Sequence, residues 1–141
     1  MRQTLEKKAV ALRQLDAALQ LFETGGDHLA VITLAGAAEE ILGKLILLAG
    51  GTPSLDHLVQ ATCAIHKLQT GQDLDQTTAR SRANAARNAL KHLDGPPDLS
   101  VSLDPEEEAV DMLDRAVTNY WVLEGALSPA MQRFTPPRRA T

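Results

Sequence analysis

Six consecutive residues, Arg87-Asn88-Ala89-Leu90-Lys91-His92, hold most of this chain's candidate chemistry. Arginine presents a planar fork of donors that matches a phosphate, and histidine exchanges a proton near neutral pH. Together they are the fewest groups that cleave a phosphodiester without a metal. Other chemistries find little support. His28, His57 and His66 are scattered and read as structural or solvated. No glutamate has a histidine three residues later, as a di-metal carboxylate bundle requires, and no Cys/His spacing matches a zinc site. There is no glycine-rich phosphate loop followed by Lys-Ser/Thr and no serine in an elbow pattern. The expectation is a site with no metal and no cofactor.

Spacing tests whether these residues can act together. On an ideal helix Asn84, Asn88 and His92 form one polar stripe, and Arg87 and Lys91 form a second beside it. Arg87 and His92 are five apart, which sets their Cα directions about 140° apart at 3.6 residues per turn. They converge only if both line the rim of a groove, or if a second copy of the chain brings its motif opposite the first. Arg80, Asn84 and Lys91 are the candidate substrate-binding residues around Arg87, Asn88 and His92. The plain alternative is a solvated helix face with a histidine near its C-terminus, where the helix dipole favours positive charge. Glu39 and Glu40 sit in mid-helix between apolar stretches, so one of them must turn inward or sideways. A buried carboxylate needs a cationic or hydrogen-bonding partner; Arg80 or Arg87 can supply it, and such a pair would orient Arg87.

The scaffold that must position these groups reads as helical. Its 141 residues suit one domain with a core large enough to do without disulfides or a structural metal. Only 3% are aromatic and Ala and Leu dominate the apolar set, a composition that favours helices over sheets. Cys63 stands alone, which suits a reducing cytoplasm. The richest apolar run, 41–49, is interrupted by Gly43 and Lys44 and is too short to span a bilayer, so no membrane partner is expected. Net charge is −4, against a broad nucleic-acid-coating surface. Yet Arg80, Arg82, Arg87 and Lys91 cluster in one segment, and Asp104, Glu106, Glu107, Glu108, Asp111 and Asp114 in another. Either these two pair within the bundle, or one positive cleft remains on an acidic body.

Periodicity and breaks predict about five helices in an up-and-down bundle with short turns. Leu5, Leu12, Leu15, Leu19 and Phe22 mark the first, over 3–23, closed by Gly25-Gly26. Asp27 caps the second, to about Ala49, where Gly36 and Gly43 share a face and admit a close neighbour. Ser54 caps a third over 55–68. A fourth starts at Asp73 or Asp75 and ends near Leu93, before Gly95-Pro96-Pro97. Residues 98–103 form an extended connector. Asp104-Pro105-Glu106-Glu107 opens a fifth helix to about Leu127, packing through Val110, Leu113, Val117, Tyr120 and Trp121. The domain spans 1–128, and 129–141, with Pro136, Pro137, Arg138 and Arg139, is expected to be a flexible tail.

Arg-Asn-x-x-x-His on a late helix of a small all-helical protein resembles the HEPN family. That family's pattern is an arginine, four to six residues, then a histidine, with a polar residue often following the arginine; Arg87, Asn88 and His92 fit it. The resemblance implies a homodimeric, metal-independent endoribonuclease, in many members a toxin or defence effector whose partner is an antitoxin protein. Some members are instead non-catalytic modules that bind a nucleotide or a partner. In the catalytic case, His92 would serve as base or acid on a ribose 2′-hydroxyl attacking its own phosphodiester, leaving a 2′,3′-cyclic phosphate. Arg87 would stabilise the charge on phosphorus, Asn88 would orient the histidine or the phosphate, and Lys91 would hold the RNA backbone. Two subunits meeting along the motif would place two histidines in one cleft.

Overall fold

The computed structural model describes residues 1–134. Seven α-helices follow one another: α1 (Lys7–Glu23), α2 (His28–Leu48), α3 (Ser54–Thr70), α4 (Gln76–Ala83), α5 (Ala85–Ala89), α6 (Pro105–Glu124) and α7 (Pro129–Arg133). A single 3-10 turn covers Pro96–Asp98, and there is no strand among the described residues. The all-helical class is as expected. None of these helices is long and apolar enough to cross a membrane.

The apolar core lies between α1, α2 and α6. Leu15 and Leu19 from α1, Ile32 and Leu42 from α2, and Met112 and Leu113 from α6 are buried, with Ala11, Ala18, Ala35, Ala38, Ala109 and Ala116 between them. The small residues let helix axes approach closely while the leucines fill the space. Local signals fix the ends. Asp27 accepts from the Leu29 amide at 2.8 Å to start α2, and Asp104 accepts from the Glu106 and Glu107 amides at 3.0 Å to start α6. Gly125, at φ 67°, ends α6 in the left-handed conformation that glycine tolerates best.

Helix direction departs from a simple up-and-down bundle. Lys8 Nζ meets Glu124 Oε1 at 2.8 Å, so the start of α1 lies beside the end of α6 and the two run antiparallel. By contrast Glu39 meets Arg115, and one turn further on Gly43 lies under Asn119, so α2 and α6 run parallel. The α3–α5 excursion and the connector after it carry the chain back to the end of the molecule from which α2 started.

Two differences raise the count from five helices to seven. The fourth predicted helix is broken at Asn84, whose φ −102° and ψ 3° separate α4 from α5, and it stops at Ala89 rather than Leu93. The expected tail contains a helix: Ser128 caps α7, Met131 is buried, and the Phe134 ring stands edge-on to Phe22 at 5.9 Å. Residues 129–134 thus belong to the folded unit, and the rest of the expected tail, 135–141, lies outside the described residues. Smaller shifts occur elsewhere. Leu5 precedes α1 and is exposed, and Trp121 points outward from α6. Ser54 is the first residue of α3 rather than its cap. Its amide donates to Asn119 Oδ1 at 2.9 Å and its hydroxyl donates to the Arg115 carbonyl at 3.2 Å, so the start of α3 is tied to α6.

Candidate functional site: the Glu39 arginine cluster and its groove

Glu39 is the centre of the polar interior. It lies on the buried stripe of α2, one residue after Ala38, and is 2% exposed. Two guanidinium groups share its carboxylate. Arg87 Nη1 donates to Oε2 at 2.9 Å and Arg115 Nη2 donates to Oε1 at 2.9 Å. A buried carboxylate is tolerated only when its charge and lone pairs are met in this way. Two arginines on one carboxylate leave a surplus of one positive charge. Glu40 Oε2 stands 3.9 Å from Arg87 Nη1.

Arg115 also explains the break in the fourth helix. Its Nη1 donates to the Ala83 carbonyl at 2.9 Å, and its Nη2 donates to Asn84 Oδ1 at 2.8 Å. The guanidinium thus takes up a main-chain acceptor at the end of α4 and fixes the Asn84 side chain in the interior. The helix resumes at once, with the Asn88 amide bonded to the Asn84 carbonyl at 3.0 Å. Asn119, one turn after Arg115, donates to the Glu39 carbonyl at 3.2 Å.

Arg87 reaches Glu39 because Gly36 lets it lie flat across α2. A Cβ at position 36 would stand 2.6 Å from Arg87 Cδ and 2.8 Å from Cγ, inside any tolerated contact. Gly43 lies beneath Asn119 and Pro53 with more room, since a Cβ there would stand 3.4 Å from each, an ordinary contact. Of the two glycines expected to admit a close neighbour, Gly36 admits the Arg87 side chain and Gly43 faces a side chain and a proline at ordinary distance. With its side chain only 10% exposed, Arg87 keeps a buried Nε–H that has no hydrogen-bond partner, and Arg115 Nε is in the same condition. Such donors are uncommon, because each carries most of its desolvation cost uncompensated.

The remaining candidates come together only in part. Asn84 is largely buried on Arg115, and with Arg80, Arg87, Glu39 and Glu40 it lines a second groove of about 230 Å³. Arg80 pairs with Asp56 at 2.8 Å rather than with Glu39, the partner open to it from the sequence. Asn88, Lys91 and His92 are exposed. His92 lies beyond the end of α5, its amide bonded to the Asn88 carbonyl at 3.1 Å. The single polar stripe through Asn84, Asn88 and His92 is therefore absent: the first is inside, the second outside, and the third past the helix.

Beside Arg87 runs an open groove of about 320 Å³ lined by Thr33, Ala37, Glu40, Ile41, Lys44, Arg87 and Lys91. Lys44 Nζ binds Glu40 Oε1 at 2.9 Å across one turn of α2. The Glu40 carboxyl is held below its ordinary value of 4.5, chiefly by that hydrogen bond, with Arg87, Lys44 and Lys91 acting through charge against the opposing effect of partial burial. Lys91 lines the groove, whereas His92 does not. Among the described residues no group of three or more His, Cys, Asp or Glu side chains is placed to hold a metal.

Sequence reading missed Arg115 and Asn119. Their signal was present: Met112, Arg115 and Asn119 are spaced three and four apart, so two polar residues fall on the stripe that buries Met112. Lys44, missed for the groove, stands four after Glu40, the spacing of a helix ion pair. No protein-family model, no curated protein and no solved structure matches this chain.

Proposed function

We propose that this protein is a non-catalytic helical module that binds a phosphate-bearing ligand, a nucleotide or RNA, in the groove beside Arg87. One observation carries the reading. Arg87 is fixed from below by Glu39 and Gly36 while the surplus positive charge of the Glu39 cluster borders a groove that Lys44 and Lys91 also line. An anion in that groove gains charge-assisted hydrogen bonds from the two lysines beside a guanidinium that is already oriented. The same commitment counts against Arg87 as a mobile group that follows charge on phosphorus. The position of His92 outside the groove lining removes the proton-transfer partner from it.

A second reading, the HEPN-type dimeric ribonuclease, has one observation in its favour. His92 is exposed, and no hydrogen bond or ion pair engages its ring among the described residues, so a histidine from a second copy could face it across a shared cleft. This reading retains the homodimer, the 2′-hydroxyl attack and an antitoxin as protein partner.

One experiment decides between them. RNA is incubated with wild type and with His92→Ala, with and without a chelator, while binding of labelled RNA and of AMP is measured on the same samples. Binding without cleavage supports the module. Cleavage that resists the chelator and disappears in His92→Ala overturns it in favour of the ribonuclease, and failure to bind either ligand sinks the phosphate reading.

A further inference from the structure

The Arg87 groove has an occupant of its own. Three cations, Lys44, Arg87 and Lys91, line it, against the single carboxylate of Glu40, which binds Lys44 at 2.9 Å and stands 3.9 Å from Arg87. Glu40 thus holds the place that an anionic ligand would take. Building on the phosphate reading above, we infer that the groove selects a phosphomonoester dianion, such as the terminal phosphate of a mononucleotide, and that Glu40 is the built-in competitor this dianion displaces.

Charge sets the choice of ligand. Lys44, Lys91, Arg87 and the Arg115 that shares Glu39 with it carry four positive charges against the two carboxylates of Glu39 and Glu40, a surplus of two, and a phosphomonoester carries close to two negative charges above its second pKa of about 6. A phosphodiester carries one, too few to match the surplus while also displacing a carboxylate of equal charge. A polynucleotide would extend its remaining phosphates over a body whose net charge is −4, where the field is repulsive. The groove volume of about 320 Å³ falls at the small end of the range for ligand clefts, which suits one nucleotide rather than a strand. Ile41 and Ala37 give it an apolar wall.

Glu40 tunes this selection. Its carboxylate already satisfies Lys44, so a weak anion gains little by replacing it, whereas a dianion can bridge Lys44, Arg87 and Lys91 together. Removing the Glu40 charge should therefore strengthen binding, the reverse of the effect expected from a residue that helps to hold the ligand.

Calorimetric titration at low ionic strength and pH 7.5 tests this with four probes: AMP, inorganic phosphate, the diester adenylyl-3′,5′-adenosine and a 5′-hydroxyl oligoribonucleotide. The full chain and its Glu40→Gln and Lys91→Ala variants are compared, with helicity checked by circular dichroism. AMP should bind the wild type, about tenfold more weakly after Lys91→Ala, which removes an exposed charge-assisted donor. Glu40→Gln should bind AMP about threefold or more tightly. Inorganic phosphate that competes with AMP assigns recognition to the phosphate alone, whereas AMP binding without such competition adds the base; both results uphold the monoester. Diester or oligonucleotide binding as tight as AMP overturns this inference and leaves the broader phosphate reading standing. Unchanged or weaker AMP binding by a folded Glu40→Gln overturns the role given to Glu40. No binding of any probe overturns both readings.

Discussion

The α1–α2–α6 layer and the α3–α5 excursion are held by different physics. The first interlocks through leucines, isoleucine, methionine and alanines that are close to fully buried. The second buries only Val59, Ala79 and Ala86 from its three helices and leaves Leu58, Ile65 and Leu68 exposed on α3. Polar links replace the missing apolar contact: Ser54 to Asn119 and Arg115, Arg115 to Ala83 and Asn84, and Arg87 to Glu39. Apolar packing is non-directional and tolerates small shifts, whereas a shared carboxylate demands fixed geometry. The candidate groove lies at the seam between the two regions. Its floor is a core helix, and its cations come from both sides.

Glu39→Ala is the sharpest way to break the comparison. It leaves two buried guanidinium groups without their counter-charge, and removing one partner of a buried ion pair costs about 3–5 kcal/mol. Urea denaturation should show that loss. Hydrogen exchange should show α3–α5 amides losing protection before those of α1 and α6, and uniform loss across all helices would contradict the separate attachment of the excursion. Leu42→Ala, in the core itself, should cost about 2–5 kcal/mol through lost burial and the cavity left behind. Here protection should fall together in α1, α2 and α6, the three helices that share the core. Gly36→Ala acts at the seam. Its new methyl must push Arg87 aside, an overpacking cost of about 1–3 kcal/mol, and AMP affinity should fall with stability; full stability with full affinity would show that Arg87 has another way to lie.

The smallest effect is one of pH. The folded Glu40 carboxyl sits below its ordinary value of 4.5, so the stability it contributes is fully present at neutral pH. That contribution is lost as the pH falls through the depressed folded value. Acid titration monitored by circular dichroism should show wild type losing more stability than Glu40→Gln below about pH 4.5. Parallel curves would mean that the Lys44 and Arg87 contacts do not persist in solution.

How legible each part was follows from how local its cause is. The caps at Asp27 and Asp104, the glycine stops and the alanine-rich apolar stripes act within one or two turns, and the corresponding helices fall close to their expected bounds. The inward turn of a glutamate at 39–40 was also visible, since a charge between two apolar stretches has few places to go. The break at Asn84 was not, because its cause, Arg115, is 31 residues away. The separation of Asn84, Asn88 and His92 follows from that break and from the early end of α5. The parallel pairing of α2 and α6 has the same character: it depends on where the excursion returns the chain, which no window of sequence contains.

By itself, then, the sequence determined an all-helical chain, the main helix starts and stops, and a short segment rich in phosphate-compatible groups. These follow from backbone capping and side-chain periodicity, which are near-neighbour effects. Only the tertiary structure decided that Arg87 is spent largely on Glu39, that Arg115 shares that carboxylate, that His92 stands apart, and that Lys44 and Lys91 border one groove. Those outcomes depend on desolvation and on distances between helices far apart in sequence. A buried charge takes its partner from whatever the fold brings within about 3 Å of it.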